Sequence, residues 1–315
     1  MEKEIARECI VGNGQAGQRL DAALAALFPL LGLRGRRRLW HGHRVLVDGI
    51  ARSPAFKLHG GETMRLVPVR PADAFSAFSE DPPRLLARLG NLFFLYKPGG
   101  LHTEALAGSA NHSLAGLLEQ IMPDAIAMRL LTRLDQDTSG IVLAAGDADA
   151  ARHWRQQENA GGVDKRYLAV LEGRLDCEHL ARNALDLTKT RRIRVLHADG
   201  PVLRHTRIRP LAYFQAVDAP GLAASYPGDT DFTLALCHIT KGARHQIRAH
   251  AAHVGHPLAG DALYGAGSNT SFFLHHCHIQ WPEGQLSCLP PQHALLPTLL
   301  REQLKILNNC QFLYE

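Results

Sequence analysis

Between residues 90 and 175 the chain carries three short apolar runs, NLFFLYK, GIVLAAG and RYLAVLE, each stopped by glycine: at Gly99-Gly100, at Gly146 and at Gly173. Runs of this length bounded by turn residues fit strands covered on both faces. Asp147 follows the second run and can cap a helix through ADAARHWRQQEN, which Gly161-Gly162 ends. In KRYLAVLEG, side chains at every second position, Lys165, Tyr167, Ala169 and Leu171, share one face. Further on, LALCHITKGARHQIRAHAAHVG joins a strand through a turn to a helix with Ile247, Ala251 and Val254 as its buried stripe and Arg248 beside it.

The chain has 315 residues, 46% hydrophobic, which is enough for a large core and more than one domain. MEKEIARECI alternates charges without an apolar core segment, and no apolar stretch is long enough to span a bilayer. The six cysteines are scattered with no C-x-x-C pair, as reduced thiols would be. These features predict a cytoplasmic protein with no membrane partner. The net charge of +5 is unevenly spread: the first seventy residues hold twelve basic side chains against six acidic ones, leaving the remainder nearly neutral. An N-terminal module facing a polyanion is the expectation.

In that module, Leu20, Leu24 and Leu27 recur at helical spacing until Pro29, LRGRRRLWHGHR supplies an arginine-dense second segment, and HRVLVDGIAR places Asp48-Gly49 at a hairpin turn. Arg34, Arg36, Arg37, Arg38 and Arg44 have no acidic neighbour to pair with and are the candidate RNA-binding side chains. Helix, basic helix and hairpin in this order resemble the small alpha-L RNA-binding domain over roughly residues 17 to 67. The expected organisation is an alpha-L-like domain at 1–68, a proline-rich linker at 69–88 and a catalytic domain at 89–315.

RLDQDTSG, residues 133–140, offers two carboxylates in a polar turn that leads into the buried GIVLAAG strand. Asp137, with Thr138 and Ser139, fits turn-shaping side-chain to backbone bonds. Two carboxylates also suggest the D-x-D-x-T loop of magnesium-dependent phosphohydrolases, but that loop follows a wholly apolar strand, whereas RLLTRLD is interrupted by Thr132 and Arg133. The 18 histidines, including His245, His250, His253, His256 and the HHCH run at 275–278, raise zinc, yet no H-E-x-x-H or three-ligand spacing is present.

Four blocks taken together resemble the RluA-type pseudouridine synthases: Lys97-Pro98; RLDQDTSG; Lys165, Tyr167, Ala169 and Gly173; and HQIRAH from His245 followed by GHPLAGDALYG from Gly255. Thr132 stands where the family usually has His, and TKGARHQ is spaced differently from the usual T-G-R-x-H-Q, so Lys241 and Arg244 receive no role. The resemblance implies an α+β catalytic domain with a mixed, largely antiparallel sheet. It implies that Asp135 attacks or deprotonates the ribose of a target uridine while the base detaches, rotates and rejoins through carbon five. Arg248 would keep Asp135 ionised, and Tyr167 would stack on the uracil or handle the carbon-five proton. Arg133 would fill the stack vacated by an extruded nucleotide, and Thr138, His245, Gln246 and Lys97 would contact substrate. The reaction is redox-neutral, so neither cofactor nor metal is implied. The expected partner is RNA, with ribosomal RNA favoured over transfer RNA, and the chain is expected to act as a monomer. A non-catalytic RNA-binding protein keeping the fold is the remaining alternative.

Overall fold

The structure, a computed structural model, is described over residues 7–29, 43–52, 54–68, 81–105, 113–122, 128–188, 192–265 and 272–290, and at positions 32, 33, 36, 293, 295–298 and 300. It divides into two compact units, residues 1–80 with 102–124, and residues 81–101 with 125–315.

The first unit contains β1 (Arg7–Ile10), α1 (Leu20–Ala23), β2 (His43–Val47), β3 (Ile50–Ala51), β4 (Thr63–Pro68) and α2 (Leu114–Ile121). Its strands form an antiparallel sheet in the order β1-β4-β2-β3. The predicted leucine-spaced helix is α-helical over only one turn and continues as a 3-10 turn over Leu24–Ala26. Leu20 and Leu24 are nonetheless buried, with Val45, Val47, Leu58 and Met64. The Asp48-Gly49 hairpin is present, and both residues have positive φ, 48° and 77°, as a tight I′ turn requires. Arg34, Arg37 and Arg38 lie outside the described residues, as does the side chain of Arg44 on β2.

The second unit is built from β5 (Arg84–Leu89), β6 (Leu92–Lys97), β7 (Arg129–Leu130), β8 (Ser139–Ala145), α3 (Ala148–Asn159), β9 (Asp164–Glu172), β10 (His179–Ala181), β11 (Asn183–Asp186), β12 (Arg194–Asp199), β13 (Thr206–Gln215), α4 (Pro220–Ala223), β14 (Asp231–Ile239), α5 (Gln246–His253), β15 (Leu274–Trp281) and β16 (Gly284–Ser287). Residues 84–88, expected to be linker, are instead part of edge strand β5, paired with β6. The main sheet runs β10-β13-β14-β9-β15-β8-β6-β5, with β16 on β15 and β7 on β8. Every pairing is antiparallel except β15 with β8, so the sheet is mixed and largely antiparallel. β11 and β12 form a separate hairpin.

All three apolar runs are buried strands. β6 and β8 expose no residue, and along β9 alternate side chains enter opposite layers. Tyr167, Ala169 and Leu171 meet Ile247 and Ala251 of α5, while Leu168 and Val170 meet Phe232 and Leu222. α3 starts at Asp147, whose carboxylate accepts from the Ala150 N–H at 2.7 Å, and buries Trp154 against β6 and β8. Each such side chain taken from water contributes roughly 1.5–3 kcal/mol. Where β8 meets β15, Gly140 has φ +111°, and a Cβ there would lie 2.3 Å from the His276 carbonyl oxygen, so only glycine fits.

Candidate active site

The RLDQDTSG loop lies between β7 and β8. Its entry is tied to β8 by the Leu131 N–H donating to the Leu143 oxygen at 2.7 Å and by Thr132 Oγ1 accepting from the Leu143 N–H at 2.9 Å. Its tip is tied to the Lys-Pro turn: Lys97 Nζ donates to the carbonyls of Pro98, Leu101 and Gln136 at 2.8, 2.6 and 2.9 Å. Lys97 is fully buried, and burial lowers its ammonium to about 7 against the opposing pull of Asp137 and Asp135. Its three hydrogens are spent on three carbonyls, so it shapes the loop and has no surface left for substrate. Thr138 is also buried, its N–H donating to the Asp135 carbonyl at 3.2 Å.

Arg248, in the first turn of α5, brings the two distant segments together. Its Nη1 donates to Asp135 Oδ2 at 2.9 Å, while Nε and Nη2 grip Asp261 Oδ2 and Oδ1 at 2.7 and 2.8 Å. Asp261 is wholly buried, and the guanidinium also lies 4.4 Å from the Phe272 ring centroid. Burial opposes the charge on Arg248, but the two carboxylates outweigh it and hold the guanidinium ionised. His245 Nε2 approaches Asp135 Oδ1 at 3.8 Å.

Tyr167 lies under the same cavity, its ring stacked on His276 at 4.4 Å with an interplanar angle of 12°. Burial pushes its phenol well above the usual range. The cavity has a volume of about 480 Å³, and Arg133, Asp135, Tyr167, His245, Leu274 and Arg248 contribute to its walls. Arg133 is exposed at its edge. Gln246 is buried: its amide donates to the Arg204 oxygen at 2.9 Å and Thr206 Oγ1 at 3.2 Å and accepts from the Ala243 N–H at 2.9 Å, so it holds the turn before α5. Lys241 and Arg244 also find places: Lys241 Nζ donates to Asn159 Oδ1 at 2.6 Å, and Arg244 lines the cavity.

Asp261 and Tyr264 were given no role from the sequence, although both stand in the GDALYG block, and His276 entered only through the HHCH run. Among the described residues no group of His, Cys, Asp or Glu is arranged to hold a metal ion. The HHCH histidines lie on β15 and are used internally: His275 between Ser139 Oγ and the Cys288 oxygen, His276 on the Ile141 oxygen at 2.6 Å, and His278 with Ser287 Oγ. Asp137 is followed directly by Thr138, one position short of D-x-D-x-T, and Asp135 already has a guanidinium on it.

A buried guanidinium shared by two carboxylates and a tyrosine stacked on a histidine line one cavity on the mixed sheet. The family model described as RNA pseudouridylate synthase matches residues 91–253, just over half of the chain. The chain is 31% identical over 266 residues to the ribosomal large subunit pseudouridine synthase D of Xanthomonas campestris, covering 82% of this chain and 75% of that one. It is 26% identical over 328 residues to the ribosomal large subunit pseudouridine synthase C of Salmonella typhimurium, covering 96% of each. Among solved structures, human RNA pseudouridylate synthase domain containing 1 shares the fold with a TM-score of 0.53 at 19% identity, covering 72% of this chain and 95% of that one. The chain belongs to the RNA pseudouridylate synthase family, isomerases that convert uridine to pseudouridine in RNA.

Proposed function

We propose that the protein isomerises particular uridines of large-subunit ribosomal RNA, with Asp135 as the reacting carboxylate. The observation that carries this is the ion pair from Arg248 to Asp135, anchored from behind by buried Asp261. It holds one carboxylate oxygen in place at the cavity where a ribose would sit. Asp135 attacks C1′ or takes a proton from the sugar as the C1′–N1 bond breaks. Tyr167, stacked on His276, supports the uracil as it turns; the new C1′–C5 bond forms as the bond to Asp135 breaks, or as Asp135 returns the sugar proton, and C5 then loses its proton to water while N1 gains one from water. Arg133 at the cavity edge fills the space left by the extruded nucleotide, which costs about a few kcal/mol to flip. The N-terminal arginine-rich segment, with an alpha-L-like role, holds phosphates of the RNA.

Mapping pseudouridines in total RNA with and without the gene identifies the target. With that RNA in vitro, Asp135→Asn should abolish pseudouridine formation and leave RNA affinity unchanged; an active Asp135→Asn protein overturns the reading. Chelation of divalent ions should leave pseudouridine formation on prefolded RNA unaltered, whereas loss restored by magnesium would place a divalent ion in the reaction.

A further inference from the structure

His245 carries a backbone that an L side chain rarely adopts, φ 53° and ψ 18° in the left-handed region, directly before α5. The turn is clamped around it, with Gln246 fixed on one side and the Ala249 N–H donating to the His245 oxygen at 2.8 Å on the other. Such a conformation persists where the surroundings enforce it, and here it aims the imidazole between two partners. Nδ1 lies 3.1 Å from the Tyr264 hydroxyl, and Nε2 faces Asp135 Oδ1. Tyr264 Oη already accepts the Ile193 N–H at 2.8 Å, which leaves its own hydrogen to be donated to Nδ1. An imidazole that accepts at Nδ1 carries its proton on Nε2, the nitrogen turned toward Asp135.

We infer that His245 is a positioning residue for Asp135: its Nε2–H steers the carboxylate oxygen that Arg248 does not hold, and the Tyr264 hydroxyl fixes the tautomer that allows it. Arg248 alone secures one oxygen, leaving the carboxylate free to rotate about its last bond. A donor on the second oxygen removes that freedom and fixes the lone pairs that face the sugar. The 3.8 Å separation needs a contraction of about 1 Å to become a hydrogen bond, a tightening of the kind that substrate binding brings to open sites. This role differs from a direct contact with RNA and rests on the assignment of Asp135 as the reacting group.

The test compares single-turnover rates at saturating enzyme, together with RNA affinity, on the unmodified large-subunit ribosomal RNA transcript of the source organism. The variants are His245→Gly, which suits the left-handed backbone while removing the ring, Tyr264→Phe, which keeps the ring and removes the hydroxyl, their combination, and His245→Gln, whose amide hydrogens reach about as far as Nε2. His245→Gly should slow chemistry by about ten- to hundred-fold with affinity within about two-fold of wild type. Tyr264→Phe should slow it by a smaller factor, His245→Gln should recover much of the loss, and the double variant should be no slower than His245→Gly because the two groups act in series. Full rate in His245→Gly, additive losses in the double variant, or a loss of affinity in place of rate each overturns the inference. Activity retained by Asp135→Asn in the same assay overturns the underlying assignment instead.

Discussion

Asp261 has no exposed surface, and Arg248 gives it two of its hydrogen bonds, so the guanidinium serves stability and chemistry through different nitrogens. Removing a partner from a buried pair costs about 3–5 kcal/mol because the remaining charge is stranded. Arg248→Met should therefore lower the unfolding free energy by about that amount, measured by urea denaturation, and abolish pseudouridine formation. Adding Asp261→Asn should restore most of the stability without restoring activity, since Asp135 still lacks its cation. Recovery of activity in the double variant would show that Arg248 does nothing for Asp135 beyond holding the fold. Asp135, Tyr167 and Arg248 could be picked out in the sequence only because their blocks resemble a family. Asp261 could not be assigned a role, because an acid one turn from glycine and tyrosine looks like a loop residue until folding brings Arg248 to it.

The strand β15 shows where reading elements from sequence stops. β6, β8 and β9 are local apolar runs, and α3 has its cap in the next residue, so a few consecutive side chains identify each. β15 reads LHHCHIQW, polar on its face, and is buried because acceptors and donors far along the chain, such as Ser139 for His275 and the Ile141 carbonyl for His276, satisfy its rings. β5 was obscured by neighbouring Pro82 and Pro83, which sit outside its ladder. The histidines also set a pH dependence. Burial lowers His275 to about 4 and His276 to about 3. Both are neutral in the folded chain, while the unfolded chain takes up their protons below its ordinary value near 6.5. Stability is thus complete above pH 6.5 and is lost as pH falls from there toward 4 and 3, by about 1.4 kcal/mol per pH unit for each histidine. Thermal melts between pH 7 and 4.5 should show this fall, and His276→Phe, which keeps a ring against Tyr167, should make the slope shallower. An identical slope in that variant would mean that His276 does not titrate on unfolding.

For the whole molecule, binding and chemistry are expected to separate along the chain. Arg36 Nε donates to the Asp21 carbonyl at 3.0 Å, so its charge is partly engaged at home. The phosphate contacts proposed for the cluster include Arg37 and Arg38. Each contact with single-stranded or loop RNA contributes about −0.7 to the slope of log K against log salt, so replacing both with alanine should flatten a salt titration by about 1.4 units. Single-turnover chemistry at saturating enzyme should hold; its collapse would mean that the N-terminal segment positions the uridine. A different order governs how the catalytic unit comes into being. The strand that follows the Asp135 loop and the strand that carries Tyr167 are not neighbours: β15 lies between them, joined to β8 on one side and β9 on the other. It also follows both strands in the chain. As the chain leaves the ribosome, every residue of the ion-pair cluster has been made before the piece that unites the two halves of the sheet. A nascent chain ending at residue 272 would hold Asp135, Tyr167, Arg248 and Asp261 without the strand that joins β8 to β9.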